Sequence, residues 1–304
     1  MLIRHLAYFV TLAEVGHFAR AAALCNVTQS TLSATIRKLE DELQATLIVR
    51  GNRYRGLTAD GERVLEWGRV ILFDYDSLRQ ELAGTGKRLS GTLRLGVIPA
   101  AMPAVPALTG LFARAHPQAT IDVRAMTSRA IERGLTSFDL DGGLTYLENE
   151  PLEDVQCLPL YREHYVFACR GDHPLATRRT LTWQEALAQP LCLLGQDMQN
   201  RRILDAIAAS VGLQARPAIT GNSNVAVCAH VHSGHWCSIV PHTFAGLFGK
   251  GAGLALVELE PSGPAQLLGL VVSDRVPQSP MTRALLGVMR DVDFEQCLRE
   301  LGTS

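Results

Sequence analysis

The sequence predicts an α/β protein in two parts. An N-terminal winged helix-turn-helix head joins, through a long linker helix, an α/β body. Three observations carry this. Residues 19–43 read as two short helices around a tight turn. Apolar residues between 59 and 82 recur at helical spacing without a break. From Thr92 on, strand-forming and helix-forming runs alternate, which implies a parallel sheet with right-handed crossovers. The chain of 304 residues, 47% hydrophobic, is long enough for two or three domains with real cores.

In the head, Leu2, Leu6, Phe9 and Ala13 fall on one face of a first helix. Ala19, Ala21, Ala22 and Ala23 make the second helix thin enough for a close crossing. Cys25, Asn26 and Val27 form the turn, and Thr28 is placed to cap the third helix. There Leu32, Ile36, Leu39 and Leu43 make a buried stripe, with Ser30, Ser33, Ala34, Arg37 and Asp41 opposite. Small, hydrogen-bonding residues plus an arginine suit a helix that enters the major groove of double-stranded DNA. An amphipathic pair inside an enzyme fits the same local pattern. Leu47, Ile48 and Val49 then begin a hairpin wing turning at Gly51 and Asn52. Arg50, Arg53 and Arg55 surround that turn, where cations suit phosphate contacts.

Bulk charge does not favour a polyanion partner, because the formal net charge is −1. Up to Gly56, however, seven arginines and lysines face four acids, so the excess is local. The seven cysteines form no CxxC, and no signal peptide precedes them. Both points predict reduced thiols in a cytoplasmic protein. No apolar run reaches membrane-span length.

Thr58 caps the linker helix, with Asp60 and Glu62 in its first turn. Val64, Ile71 and Leu78, interleaved with Gly68, Tyr75 and Leu82, give the 4-3 spacing of a coiled-coil seam and predict dimerisation. Gly84 and Gly86 end the helix in a hinge. The body reads as strand at 92–97, helix at 105–115, strand at 120–126, helix from Thr127 and Ser128, and strand at 140–145. A second such series ends at LALVELE. QLLGLVVSD returns to the first series, and residues 281–301 form one closing helix.

With FARAAALCNVTQSTLSATIRKLEDELQATLIVR followed by GLTADG in view, the chain resembles the LysR-type transcriptional regulators over its full length. Residues 1–58 resemble the family's DNA-binding head, 59–90 its dimerising linker helix and hinge, and 91–304 its effector module. That module implies two subdomains of periplasmic-binding-protein type, 91–162 with 267–304 and 163–266. By similarity, Thr28, Gln29, Ser30, Ser33, Ala34 and Arg37 face the groove, and Arg50, Arg53 and Arg55 serve the wing. Two departures stand out. Ser30 replaces a usual Pro, and Ile48 and Val49 stand where the family has Phe before the wing arginine. Both leave the operator sequence open. The resemblance also implies a homodimer or homotetramer, a small-molecule co-inducer and contact with RNA polymerase.

In such subdomain pairs ligands sit in the cleft, at strand carboxyl ends and helix N-termini, where free N–H groups favour anions. The cleft residues would be Pro99, Ala100, Ala101, Thr127, Ser128, Thr145, Asn200, Arg201 or Arg202, and Asn222 or Asn224. Hydroxyls and amides dominate, an arginine could balance a carboxylate, and no aromatic is expected there. A small anionic metabolite follows. LTYLENEPL and DMQNRR resemble a branch associated with formate-dehydrogenase genes, which implies formate.

Cys228, His230, His232, His235, Cys237 and His242 crowd into fifteen positions and raise a metal- or redox-responsive alternative. They span a helix, a turn and a strand, so no metal or other cofactor is expected. Enzyme motifs are missing: there is no G-x-S-x-G or H-E-x-x-H, and the glycines at 249–253 precede a strand rather than follow one. A solute-binding protein would explain the body but not residues 1–86. The chain is therefore expected not to be an enzyme.

Overall fold

The computed structural model describes residues 3–49, 54–83, 89–246 and 253–303. The chain divides into two compact units: residues 1–87 with 137–139, and the rest. The first unit holds α1 (Ile3–Val15), α2 (Phe18–Leu24), α3 (Gln29–Leu43) and α4 (Ala59–Ala83). Phe9, Leu12, Ala21, Leu32, Leu39 and Leu47 are fully buried at its centre. Thr28 caps α3 as the sequence predicts, its hydroxyl accepting from the Thr31 N–H at 3.2 Å. Leu43 does not extend the buried stripe. It lies in the last turn before the left-handed Gln44 and is 40% exposed. The wing reduces, among the described residues, to a single antiparallel bridge between Ile48 and Leu57.

Gly61 explains the LTADG pattern at the start of α4. A Cβ there would lie 2.0 Å from the Leu47 carbonyl oxygen, so only glycine lets the helix begin against that strand. Thr58 caps this helix by accepting from the Gly61 N–H at 3.0 Å. Val64, Leu65, Ile71 and Leu72 then pack on the head core.

The second unit contains two sheets. The first has the order β2 (Ala119–Ala125), β1 (Gly91–Val97), β3 (Gly142–Tyr146), β11 (Gln266–Ser273), β4 (Val155–Glu163). β1 pairs in parallel with β2 and β3, while β11 runs antiparallel to β3 and β4. The expected parallel sheet is therefore mixed, because β11 re-enters from the other subdomain in the opposite direction. β4, absent from the expected strands, is an edge strand with Pro159 at a register shift opposite Gly269 and with several outward residues exposed, which weakens its strand pattern. α5 (Val105–Ala115) and α6 (Ser128–Thr136) lie between these strands in the chain. Gly143 admits α6 closely, since a Cβ there would sit 2.3 Å from Ile131 Cγ2.

The second sheet has the order β6 (Thr180–Thr182), β10 (Leu254–Glu260), β5 (Tyr165–Arg170), β9 (Ser238–Pro241). β7 (Cys192–Leu194) and β8 (Ile219–Gly221) form a separate parallel pair, joined to β9 by a bridge from Leu191 to Cys237. α7 (Trp183–Leu187), α8 (Gln199–Ser210) and α9 (Asn224–His232) belong to this half. The single closing helix is in fact two, α10 (Pro280–Arg290) and α11 (Phe294–Thr303). The chain breaks between them because Asp293 accepts from the Gln296 N–H at 3.0 Å and starts a new helix. No described helix is long and apolar enough to cross a membrane.

Candidate functional sites

On the head, Thr28, Gln29, Ser30, Ala34 and Arg37 are exposed and Ser33 is half-buried. The α3 stripe of Leu32, Ile36 and Leu39 turns this polar face outward. The Thr28 hydroxyl is engaged three ways: with the Thr31 N–H, with the Ser30 hydroxyl at 2.9 Å and with the Thr31 hydroxyl at 2.8 Å. Ser30, where the family has Pro, thus joins the hydroxyl cluster that starts the helix. Arg37 is paired in no described ion pair or hydrogen bond. Arg55 is exposed, while Arg50, Arg53 and the Gly51–Asn52 turn lie outside the described residues. Sequence reasoning missed Glu40. Its buried carboxylate accepts from the Leu47 and Ile48 N–H groups at 2.8 and 3.3 Å, tying the end of α3 to the root of the wing.

The coiled-coil seam divides. Val64 and Ile71 pack inward on the head, and Gly68 abuts Leu6 and Val10. The helix instead exposes Trp67 (68%), Tyr75, Leu78 and Leu82 (70%). Seven-residue spacing identifies residues that share a face, but not whether that face meets the same chain or another. Gly84 and Gly86 lie outside the described residues.

In the body, the proposed cleft residues separate into groups. Asn200, Arg201, Asn224 and Ser238 line one narrow pocket with Leu193, Leu194 and Val240, with room for about one water-sized guest. Asn224, not the exposed Asn222, faces it, and its amide donates to the Pro99 carbonyl. Ala100 and Ala101 are fully buried in the core, inside a 3-10 turn, and are not among the residues lining this pocket. Thr127 caps α6 by accepting from the Ala130 N–H at 3.2 Å, and Ser128 is buried in that helix start. Thr145 is completely buried, with no hydrogen-bond partner for its hydroxyl among the described residues.

Neither arginine is a free counter-charge. Arg201 is 4% exposed, bonded to Asp205 at 2.9 Å and to the Leu194 carbonyl at 3.1 Å. Arg202 grips both oxygens of Glu150 at 2.7 and 2.6 Å and holds the Gln196 and Asp197 carbonyls. That grip keeps the Glu150 carboxyl below the usual carboxylate range. What remains for an anion is backbone. α8 and α9 both begin without a side-chain cap, at Met198 and Ser223. Among the described residues, the Ser238 hydroxyl on the pocket wall and the Gln199 amide at the start of α8 are buried without a hydrogen-bond partner.

No aromatic is among the residues lining this pocket, but two tyrosines stand behind Asn200. The Asn200 amide donates to the hydroxyls of Tyr146 and Tyr165 at 3.0 Å each, and Tyr146 donates in turn to Glu163. Both tyrosines come from strand ends far apart in the chain, so no local motif announces them.

The histidine and cysteine cluster disperses. His232 and His235 are exposed, Cys237 lies 3.7 Å from His173, and His242 stacks on His164 with ring centres 4.3 Å apart. Burial pushes the Cys228 and Cys237 thiols up to about 11 and His242 down to about 4. Among the described residues no group of three or more His, Cys, Asp and Glu could hold a metal ion.

Comparison with known proteins agrees with the two-part architecture. Residues 3–62 match the family described as bacterial regulatory helix-turn-helix protein, lysR family, and residues 86–293 match the LysR substrate binding domain. The chain is 34% identical over 302 residues to an SDS degradation transcriptional activation protein of a Pseudomonas species, covering 96% of each. It is 33% identical over 195 residues to a hydrogen peroxide-inducible genes activator of Dickeya chrysanthemi, 64% of each. Among solved structures, a full-length OxyR variant from Pseudomonas aeruginosa superposes with a TM-score of 0.74 at 25% identity, covering 97% of this chain and 96% of that one. Full-length CbnR in complex with its target DNA superposes with 0.71 at 22% identity, covering 95% and 99%, and shows a shared fold.

Proposed function

The chain belongs to the LysR family of DNA-binding transcriptional regulators, and from that premise we propose that a small anion bound in the body controls its action at a promoter. The observation that supports this is the pocket at the uncapped starts of α8 and α9, where the buried Ser238 hydroxyl lacks a partner among the described residues. Free N–H groups and an unspent hydroxyl favour an anion without needing a cation. The pocket is narrow and its wall residue Asn224 is tied to the Pro99 carbonyl of the other subdomain, so a larger guest works against that contact.

The outward face of α3, with Gln29, Ser30, Ser33, Ala34 and Arg37, reads base edges in this account, and Arg50, Arg53 and Arg55 hold phosphates. Exposed Trp67, Tyr75, Leu78 and Leu82 serve the pairing of two linker helices, on the way to a dimer or tetramer. Ligand binding biases the angle between the subdomains, hence the spacing of the heads and contact with RNA polymerase. Only differential affinity for the two arrangements drives that shift. The protein works in the cytoplasm, where its DNA is.

Formate, the smallest carboxylate, heads the candidate effectors. The relatives named for SDS degradation and peroxide induction add alkyl sulfates and, as an uncharged contrast, hydrogen peroxide. The test is fluorescence anisotropy on DNA from upstream of the protein's own gene, at fixed salt, with this panel. An affinity that changes with one small anion, and no longer changes in Ser238→Ala, supports the reading. Specific DNA binding indifferent to every anion would remove the ligand half and leave the regulator.

A further inference from the structure

The chain passes between the two sheets twice, and Glu163 stands where both passages meet. It is the last residue of β4, and its partner across the sheet is Gln266, the first residue of the returning β11. Two residues on, Tyr165 opens β5 in the other sheet. Glu163 is completely buried, which is rare for a glutamate without a charged partner.

The groups facing it are neutral. Tyr146 comes from β3, Tyr161 from its own strand, Tyr165 from β5, Asn200 from α8 by way of Tyr146, and Gln266 from β11. The ionisable neighbours engage elsewhere. His164 pairs with Glu258 at 3.3 Å and stacks on His242 from the following 3-10 turn. Arg162, on the opposite face of β4, bonds Glu148 at 3.4 Å and the Ala265 carbonyl. Glu295 on α11 accepts from the Arg162 N–H. One Glu163 oxygen accepts from Tyr146, while the other, like the Tyr161 hydroxyl, is buried without a partner among the described residues.

The clasp Glu163–Tyr146–Asn200–Tyr165 therefore joins the two subdomains at their hinge, and Asn200 also lines the pocket. We propose that Glu163 is a proton-operated latch. With its carboxyl neutral and dry the clasp holds the subdomains together, and ionisation, which requires water at the carboxylate, releases it. The proposal rests on reading the body as a hinged effector module, and makes the proton a second input to it.

Burial sets the direction. It raises the Glu163 carboxyl from 4.5 to about 8 and pushes all three tyrosines further up, so none of them competes. The folded chain thus keeps a proton that the unfolded chain has lost. The stability linked to Glu163 is full below the ordinary carboxylate range and declines as pH rises toward and through about 8.

The test is thermal melting of full-length wild type and Glu163→Gln across that pH interval, without effector. The two should coincide at the acidic end, and the Gln variant should melt higher by a gap that widens on the alkaline side. Backbone amide exchange at residues 163–165 and in the first turn of α8, corrected for intrinsic rate, should rise with pH in wild type only. A gap independent of pH, of either sign, would overturn the latch and leave a structural carboxyl. Should the Gln variant not fold, Tyr146→Phe cuts the clasp and keeps the carboxyl. Exchange in the α8 turn should then be fast even at acid pH, and unchanged exchange overturns the proposal. Because no effector is present, these outcomes stand apart from the fate of the anion reading.

Discussion

Helices α3 and α8 begin alike in the sequence and end in opposite situations. Each opens on a polar run, Gln29-Ser30-Thr31 in one and Gln199-Asn200-Arg201 in the other. In α3 the first turn is capped by Thr28 and its side chains are exposed. In α8 the first turn is uncapped and its three side chains are buried, at 4%, 7% and 4% exposure. The difference teaches what each end can do. A capped turn with outward side chains recognises through those side chains and keeps its own N–H groups satisfied. In the uncapped turn Asn200 and Arg201 are spent on neighbours, while no side chain caps the first backbone N–H groups, which leaves them for something else.

The comparison can be broken first at the stripe that turns α3 outward. Leu39→Ala empties a fully buried position and should cost about 2–5 kcal/mol, read in a urea titration of the full chain. Leu43→Ala, at the exposed end of the same stripe, should stay within about 0.5 kcal/mol. Equal losses would mean that Leu43 is buried in the working protein.

Next comes the inward turn. Asn200→Ala removes the donor that Tyr146 and Tyr165 share, and should lower stability by about 1–3 kcal/mol. A variant as stable as wild type would show that the clasp contributes nothing.

Arg37→Ala addresses the outward face. Specific operator binding should weaken by about 1–3 kcal/mol in anisotropy at fixed salt, while the melting temperature stays put. Undiminished operator affinity would remove Arg37 from the recognition surface. The smallest effect on stability is expected at Ser238→Ala. Deleting a buried hydroxyl with no partner among the described residues should leave melting unchanged or slightly raised, and still abolish the response to the anion. A clear drop in melting temperature would mean that the hydroxyl already has a partner in the working protein.

The head was legible because its instructions are local. Thr28, the leucine stripe and the LTADG turn act within a few residues, through capping, period and the room that only Gly61 leaves. The family resemblance, the two-part division and the order of most strands followed from the same kind of signal. The pocket was legible only in part. Asn200 is legible but not its tyrosine partners; Arg201 or Arg202 could balance a carboxylate by residue type, yet Asp205 and Glu150 hold them; and Ala100 and Ala101, expected on one wall of the cleft, fill the core.

The sequence by itself determined where helices start, which residues share a face and that a DNA-binding head precedes an α/β body. Tertiary structure alone decided which of those faces are covered, that β11 runs against its neighbours, that the α8 arginines are spent, and that Glu163 sits dry at the crossing of two strands. The reason is reach. Caps and periodicity are settled over a turn or two of chain, whereas burial and pairing depend on segments such as β3, β4 and α8, which only the closed fold brings together.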